Sequence, residues 1–196
     1  MTGRLIGITA IRNRYDKLAG LLRQLEVKDN DTLVFFGDYI YNGVADWRIL
    51  ERLQFLTEKC NCKFMGNYTE RVIRDELLGI SDVRSLGKGY VDTAAPGFAD
   101  LPNCFLKDIQ DTFLIDGYKF ISKFPLSLHD PYKYLTPVEF YNKVTWGQIV
   151  LADDDPIYVM EVLNPVSAHK EHILPICYKW ENITALDIHN NIKYEC

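Results

Sequence analysis

Few side chains in this sequence stand where chemistry is usually done, and they fall into four sets. Asp38 and Asn67 each follow a glycine at the end of an apolar run, Phe35-Phe36-Gly37-Asp38 and Phe64-Met65-Gly66-Asn67. Oxygens at strand ends can hold a divalent cation. They can equally satisfy loop amides or cap the next helix, and Asp38 can also pair with Arg12. The second set is cationic and aromatic. Arg12, Arg14 and Lys123, with Tyr39, Tyr41 and Tyr68, could take a phosphate or a nucleotide without metal. The third is His169-x-x-His172, one helical turn apart, which reads either as exposed polar surface or as a partial ligand pair. The fourth is Cys60-Asn61-Cys62. With no second pair to complete four ligands, it reads as two thiols at a helix-to-strand junction. His129 and His189 have no partner visible in the sequence.

The elements that must position these groups alternate through the first third of the chain. Leu5–Thr9 is a short apolar run fit for a buried strand. Tyr15–Leu25 sets Leu18, Leu21, Leu22 and Leu25 on one helical face. Asp29-Asn30-Asp31 is turn chemistry, and Thr32–Phe36 is a second strand. A helix over Val44–Lys59 carries Ile49, Leu50, Leu53, Phe55 and Leu56, and Lys63–Met65 is a third strand. A third helix spans Thr69–Leu78, with Thr69 as its N-cap. Such β-α-β-α-β-α order implies a mainly parallel sheet with helices on both faces. Its ligands would sit beyond the carboxyl ends of the strands, where the loops at Ala10, Asp38 and Asn67 converge.

The remainder is richer in strands. Residues 79–103 are glycine-rich and weakly patterned, which predicts an insertion or lid. Phe105–Gln110 reads as a short helix. Phe113–Ile121 reads as a hairpin about Asp116-Gly117. The stretch from His129 to Trp146 reads as irregular chain plus a helix after Thr136-Pro137. Strands follow at Pro156–Leu163, Ile173–Tyr178 and Ile183–Ile188. The fold class expected is α/β, a sandwich of mixed sheets flanked by helices, in a single domain over residues 1–196.

Composition excludes several classes. The 196 residues are 47% hydrophobic and 25% charged, as in ordinary globular chains. The net charge of −5, from 22 Lys+Arg against 27 Asp+Glu, gives no general affinity for nucleic acid. No run of about 18 uncharged apolar residues predicts a membrane span, and the first ten residues read as a strand, not a signal peptide. Five cysteines at irregular spacing suggest reduced thiols and a cytoplasmic location.

The order of Tyr15-Asp16-Lys17-Leu18, Leu33-Val34-Phe35-Phe36-Gly37-Asp38-Tyr39, Lys63-Phe64-Met65-Gly66-Asn67 and Asp116-Gly117-Tyr118-Lys119-Phe120-Ile121 resembles the calcineurin-like metallophosphoesterases. The resemblance lies nearest to small bacterial and phage Ser/Thr protein phosphatases and their diadenosine tetraphosphatase relatives. It implies a metallophosphoesterase β-sandwich and phosphoester hydrolysis at two bridged divalent metals, such as Mn or Fe. It also shows what this chain has replaced. The Gly-Asp-x-His-Gly loop falls on Thr9-Ala10-Ile11-Arg12-Asn13, so Ala10 stands for the aspartate and Arg12 for the histidine. In Gly37-Asp38-Tyr39-Ile40-Tyr41-Asn42-Gly43 the bridging Asp38 is kept, while Tyr41 replaces the second aspartate and Asn42 the phosphate-gripping arginine. In Gly66-Asn67-Tyr68-Thr69 the ligand Asn67 is kept and Tyr68 replaces the general-acid histidine. The two later histidine positions match Ser122-Lys123-Phe124 and Val162-Leu163-Asn164-Pro165.

Of the implied ligands only Asp38 and Asn67 remain, one carboxylate and one neutral amide. A cation about 4 Å from a guanidinium costs roughly 4 kcal/mol at an effective dielectric near 20. Arg12 is therefore expected to exclude a metal pair, leaving no cofactor and no catalytic residue. Ala10, Arg12, Asn13, Asp38, Tyr41, Asn42, Asn67, Tyr68, Ser122 and Leu163 would line a remnant pocket, with Tyr41 and Tyr68 filling space that metals and water vacate. The expectation is a pseudo-phosphatase that binds a protein partner or joins an assembly, with Tyr132, Tyr134, Phe140, Tyr141 and Trp146 as a candidate contact surface. Two alternatives stay open: a metal-independent binder of a phosphorylated small molecule or nucleotide, and a residual one-metal phosphoesterase using Asp38, Asn67 and His169 or His172.

Overall fold

The computed structural model describes residues 3–41, 44–66, 68–79, 105–122, 135–145, 147–163 and 172–196. The expected insertion over 79–103, all but Gly79, lies outside these, as do Asn42, Asn67, Lys123, His129, Tyr132, Tyr134, Trp146 and His169.

In chain order the elements are β1 (Leu5–Ile8), α1 (Tyr15–Leu25), β2 (Thr32–Phe35), β3 (Ile40–Tyr41), β4 (Val44–Ala45), α2 (Trp47–Lys59), β5 (Asn61–Phe64) and α3 (Tyr68–Leu77). A 3₁₀ turn at Phe105–Asp108 is followed by β6 (Thr112–Ile115), β7 (Tyr118–Ile121), α4 (Pro137–Thr145), β8 (Ile157–Leu163), β9 (Ile173–Tyr178), β10 (Thr184–Asp187) and β11 (Ile192–Glu195). One sheet runs β11-β10-β1-β2-β5 and the other β6-β7-β8-β9. Both are mixed. β1, β2 and β5 are mutually parallel, with β10 and β11 added antiparallel. β7, β8 and β9 are parallel, and β6 closes the edge as a hairpin.

The alternation of side chains along β1 and β2 builds the layers. Ile6, Ile8, Leu33 and Phe35 face the leucines of α1 and the apolar side of α2. Leu5, Val34 and Phe36 face Phe120, Val159 and Ile176 of the second sheet. The far side of that sheet packs on α4 through Tyr158, Met160, Phe140 and Tyr141. The expectation of helices on both faces of the first sheet is thus corrected: helices cover one face and the second sheet covers the other. Gly7 permits this contact, because a Cβ there would sit 2.4 Å from Cδ1 of Ile176.

Local signals explain most boundaries. Leu18, Leu21, Leu22 and Leu25 are buried along α1 as their spacing requires. In α2 the buried set is Ile49, Leu50, Leu53 and Leu56, whereas Phe55 is turned outward. The helix expected from Val44 starts only at Trp47, because Asp46 caps it by accepting the Arg48 N–H at 3.0 Å and Val44–Ala45 pair with β3 instead. α3 starts at Tyr68, one residue before the cap expected at Thr69. The Asp116-Gly117 turn has both residues at positive φ (51° and 82°), as a two-residue hairpin needs. Thr136 and Glu139 form a reciprocal capping box that opens α4. The third strand of the tail, β11, follows the turn at Asn190-Asn191, where the sequence pattern predicts no strand.

Candidate functional site

The carboxyl ends of the parallel strands in both sheets meet at one place. After β1, the Ile11 N–H donates to the Gly37 carbonyl at 3.1 Å and the Arg12 N–H to the Asp38 carbonyl at 2.9 Å, which lashes the first loop to the second. Both loops turn through unusual backbone. Arg12, Asn13 and Asp38 have φ of 53°, 56° and 56°, the left-handed region that side chains rarely adopt. Such conformations persist where the surroundings over-determine them, and they cluster at functional sites.

The surroundings here are specific. Tyr39 is fully buried; its hydroxyl donates to the carbonyls of Met65 at 2.7 Å and Phe35 at 3.1 Å. Its ring packs edge-on against Phe64 and Phe105, and burial pushes its phenol well above the usual range. Glu70, buried on α3, accepts the N–H groups of both Tyr39 and Ile40. The loop carrying Asp38 is therefore pinned from β2, β5 and α3 together.

Arg12 Nε lies 3.4 Å from Oδ2 of Asp38. The same guanidinium lies 4.5 Å from the ring centre of Tyr178 and 4.6 Å from that of Trp180, just beyond β9. The pairing of Asp38 with Arg12 that the sequence suggested is present, and Asp38 does not cap the next helix, which Asp46 does. Ala10 is wholly buried, and its N–H donates to Oε2 of Glu161 on β8 at 2.8 Å. Arg14, half-buried at the start of α1, is depressed by burial first and by the Arg12 charge second, against the favourable fields of Glu181 and Tyr41.

The sequence-derived set is thus brought together in part. Ala10, Arg12, Asn13 and Asp38 share this corner, and Tyr41 lies near Arg14. Ser122 is buried just past the end of β7, and Leu163 ends β8, register-paired with Tyr178 and 44% exposed. Tyr68 opens α3, while Asn42 and Asn67 fall outside the described residues. His172 lies at the start of β9, its Nδ1 3.0 Å from the Asp155 carbonyl, at the opposite end of that strand from Tyr178. It therefore does not join Asp38, and the single-metal alternative cannot draw on it. Sequence reasoning missed Glu161, Tyr178 and Trp180. Glu161 is the lone charge inside the apolar run Ile157–Leu163, a signal that it is held by a specific partner.

No family model and no curated protein matches the chain. Solved structures do. One described as a "putative diadenosine tetraphosphatase" is 14% identical over 100% of this chain and 94% of its own, with a TM-score of 0.64. A hypothetical protein from Pyrococcus horikoshii OT3 is 10% identical over 98% and 86%, with a TM-score of 0.56. A protein serine/threonine phosphatase from Saccharomyces cerevisiae overlaps 69% of this chain and 45% of its own, at 14% identity and a TM-score of 0.40. The first two share their fold with this chain.

The metallophosphoesterase resemblance of the sequence implies a metal pair at this corner, and the described residues do not fit one. The two first-loop positions offer a methyl group and a cation. The Arg12 guanidinium already lies against Asp38. Among the described residues no group of three His, Cys, Asp or Glu side chains could hold an ion. Also among them, no helix is long and apolar enough to cross a membrane.

Proposed function

We propose that this chain is a catalytically inactive, phosphatase-like protein that works by binding a protein partner or within an assembly. One observation carries the reading: a buried arginine sits on the carboxylate that the fold would use to bridge two metals. Two-metal hydrolysis depends on concentrated positive charge that acidifies a water and neutralises the phosphoryl oxygens. A single guanidinium held by two aromatic rings supplies one charge and no open coordination position. Ala10 and Glu161 support the same reading, since the carboxylate nearest the first loop is engaged by a backbone N–H.

The proposal includes a cytoplasmic location. Cys60, Cys62, Cys177 and Cys196 are free thiols, as reducing conditions would keep them. The test joins elemental analysis of the purified protein with p-nitrophenyl phosphate turnover in Mn, and light scattering with pull-down for the partner. The expected result is less than a stoichiometric trace of metal, no turnover, and an assembly larger than the monomer. Bound metal with turnover that falls in Asp38→Asn would overturn the proposal, as would a monomer that captures nothing.

A further inference from the structure

The Arg12 side chain is 99% withdrawn from solvent, yet among the described residues neither Nη1 nor Nη2 has a hydrogen-bond acceptor. Nη1 of Arg14 is also buried without one. A guanidinium carries five N–H donors, and the ion pair of Arg12 Nε with Asp38 at 3.4 Å supplies no hydrogen bond to them. Buried charged donors left unmatched are among the most costly groups a fold can carry, and they call for an acceptor.

The arrangement around them specifies which acceptor. The two arginines bracket the left-handed turn at Arg12-Asn13 and stand directly before the 11-residue helix α1. Arg14 is itself the cap residue of that helix, and no side chain caps the first turn. Two guanidinium groups and the positive end of a helix therefore share one corner. Two carboxylates border the corner: Asp38 lies 3.4 Å from Arg12 Nε, and one oxygen of Glu161 accepts the Ala10 N–H. Glu181 contributes a field on Arg14. A tetrahedral dianion presents oxygens on several sides and two charges, and so matches a pair of guanidinium groups better than a single carboxylate does.

We propose that Arg12 and Arg14 form a metal-free oxyanion site that takes the phosphate group of a small phosphorylated molecule, with Trp180 as its movable cover. Trp180 stacks on the Arg12 guanidinium while half its surface remains in solvent, so it is the described side chain whose displacement opens the buried nitrogens. The site rests on the reading that no metal pair forms here.

Calorimetry and thermal shift with inorganic phosphate and with adenosine monophosphate, in EDTA and at matched ionic strength, test it. Saturable binding is expected for both, tighter for the monophosphate, with a change in tryptophan emission that is lost in Trp180→Phe. Arg14→Gln, at a half-buried site, should weaken binding about tenfold or more where circular dichroism shows it folded, as loss of a charge-assisted bond does. Arg12→Gln should do the same wherever circular dichroism shows it folded. No saturable heat with or without Mn overturns this inference alone. Binding that appears only with Mn overturns it together with the proposed function. Unchanged affinity in Arg14→Gln, or no gain for the monophosphate, overturns the assignment of the ligand.

Discussion

Arg12 Nε stands 3.4 Å from the Asp38 carboxylate, on side chains that expose 1% and 8% of their surface. Removing one partner of a buried pair leaves the other uncompensated, at a cost of about 3–5 kcal/mol. Asp38→Asn keeps a residue that tolerates the left-handed backbone and deletes only the charge. It should lower the urea-derived stability by about 3 kcal/mol, the low end of that range, because the pair is an ion contact without a hydrogen bond. The double variant Asp38→Asn, Arg12→Met should recover most of the loss. Equal stability of single and double variants would show that the pair is not the cause.

The acid limb of stability should be set by Asp31 and Glu195. Burial raises the Asp31 carboxyl, but the Arg4 guanidinium at 2.6 Å and the N–H groups of Lys28 and Arg4 outweigh it and leave it below its ordinary value. Glu195, held by Asn182 and then Lys193, is depressed too. A depressed carboxyl contributes stability that is present above its unfolded value, about 4, and lost as pH falls through the folded value. Denaturation midpoints should hold between about pH 5 and 7 and fall below about pH 4. Asp31→Asn should lower the neutral plateau and flatten that fall. A variant curve parallel to the wild type would refute the assignment.

The fold was largely legible because its signals are local. Leucine spacing announced α1, Asp116-Gly117 announced the hairpin, and three apolar runs, two of them ending in glycine, announced the loops. Layering was harder, since β1 and β2 are apolar on both faces and do not say whether a helix or a sheet covers each. The site was legible at Ala10, Arg12 and Asp38, where a motif could be laid over the chain. It was not legible at Tyr178, Trp180 and Glu161. These reach Arg12 and Ala10 only through the packing of one sheet on the other, across more than 150 residues of sequence for Glu161 and Ala10.

Tyr39 should act as the pin of the second loop. Tyr39→Phe keeps the ring packing and removes the bonds to the Met65 and Phe35 carbonyls. The expected loss is about 1–3 kcal/mol by chemical denaturation. Glu70→Ala, which orphans the N–H groups of Tyr39 and Ile40, should cost at least as much. If neither moves the midpoint, the loop is held by something other than these bonds.

Added metal should leave the protein unmoved. A ligand at about 100 times its dissociation constant stabilises the state it binds by about 2.7 kcal/mol, worth roughly 5 °C or more for a chain of this size. Scanning calorimetry with Mn at about 1 mM should shift the midpoint by less than about 1 °C, since Arg12 already neutralises Asp38. A shift of several degrees, abolished in Asp38→Asn, would mean that the arginine yields its place to an ion.

The contact between the two sheets should fail in a predictable way at Gly7. A Cβ added there meets Cδ1 of Ile176 at 2.4 Å and Cε2 of Phe36 at 3.4 Å. Overpacking of this kind typically costs about 1–3 kcal/mol. The closest atom is the tip of a side chain, so Ile176→Val deletes the clash outright while costing about 1 kcal/mol in its own right. Gly7→Ala should therefore destabilise strongly alone and much less beside Ile176→Val, a coupling that a double-mutant cycle measures directly. Additive losses would place Gly7 under some constraint other than the sheet-to-sheet packing that brings Tyr178 and Trp180 to Arg12.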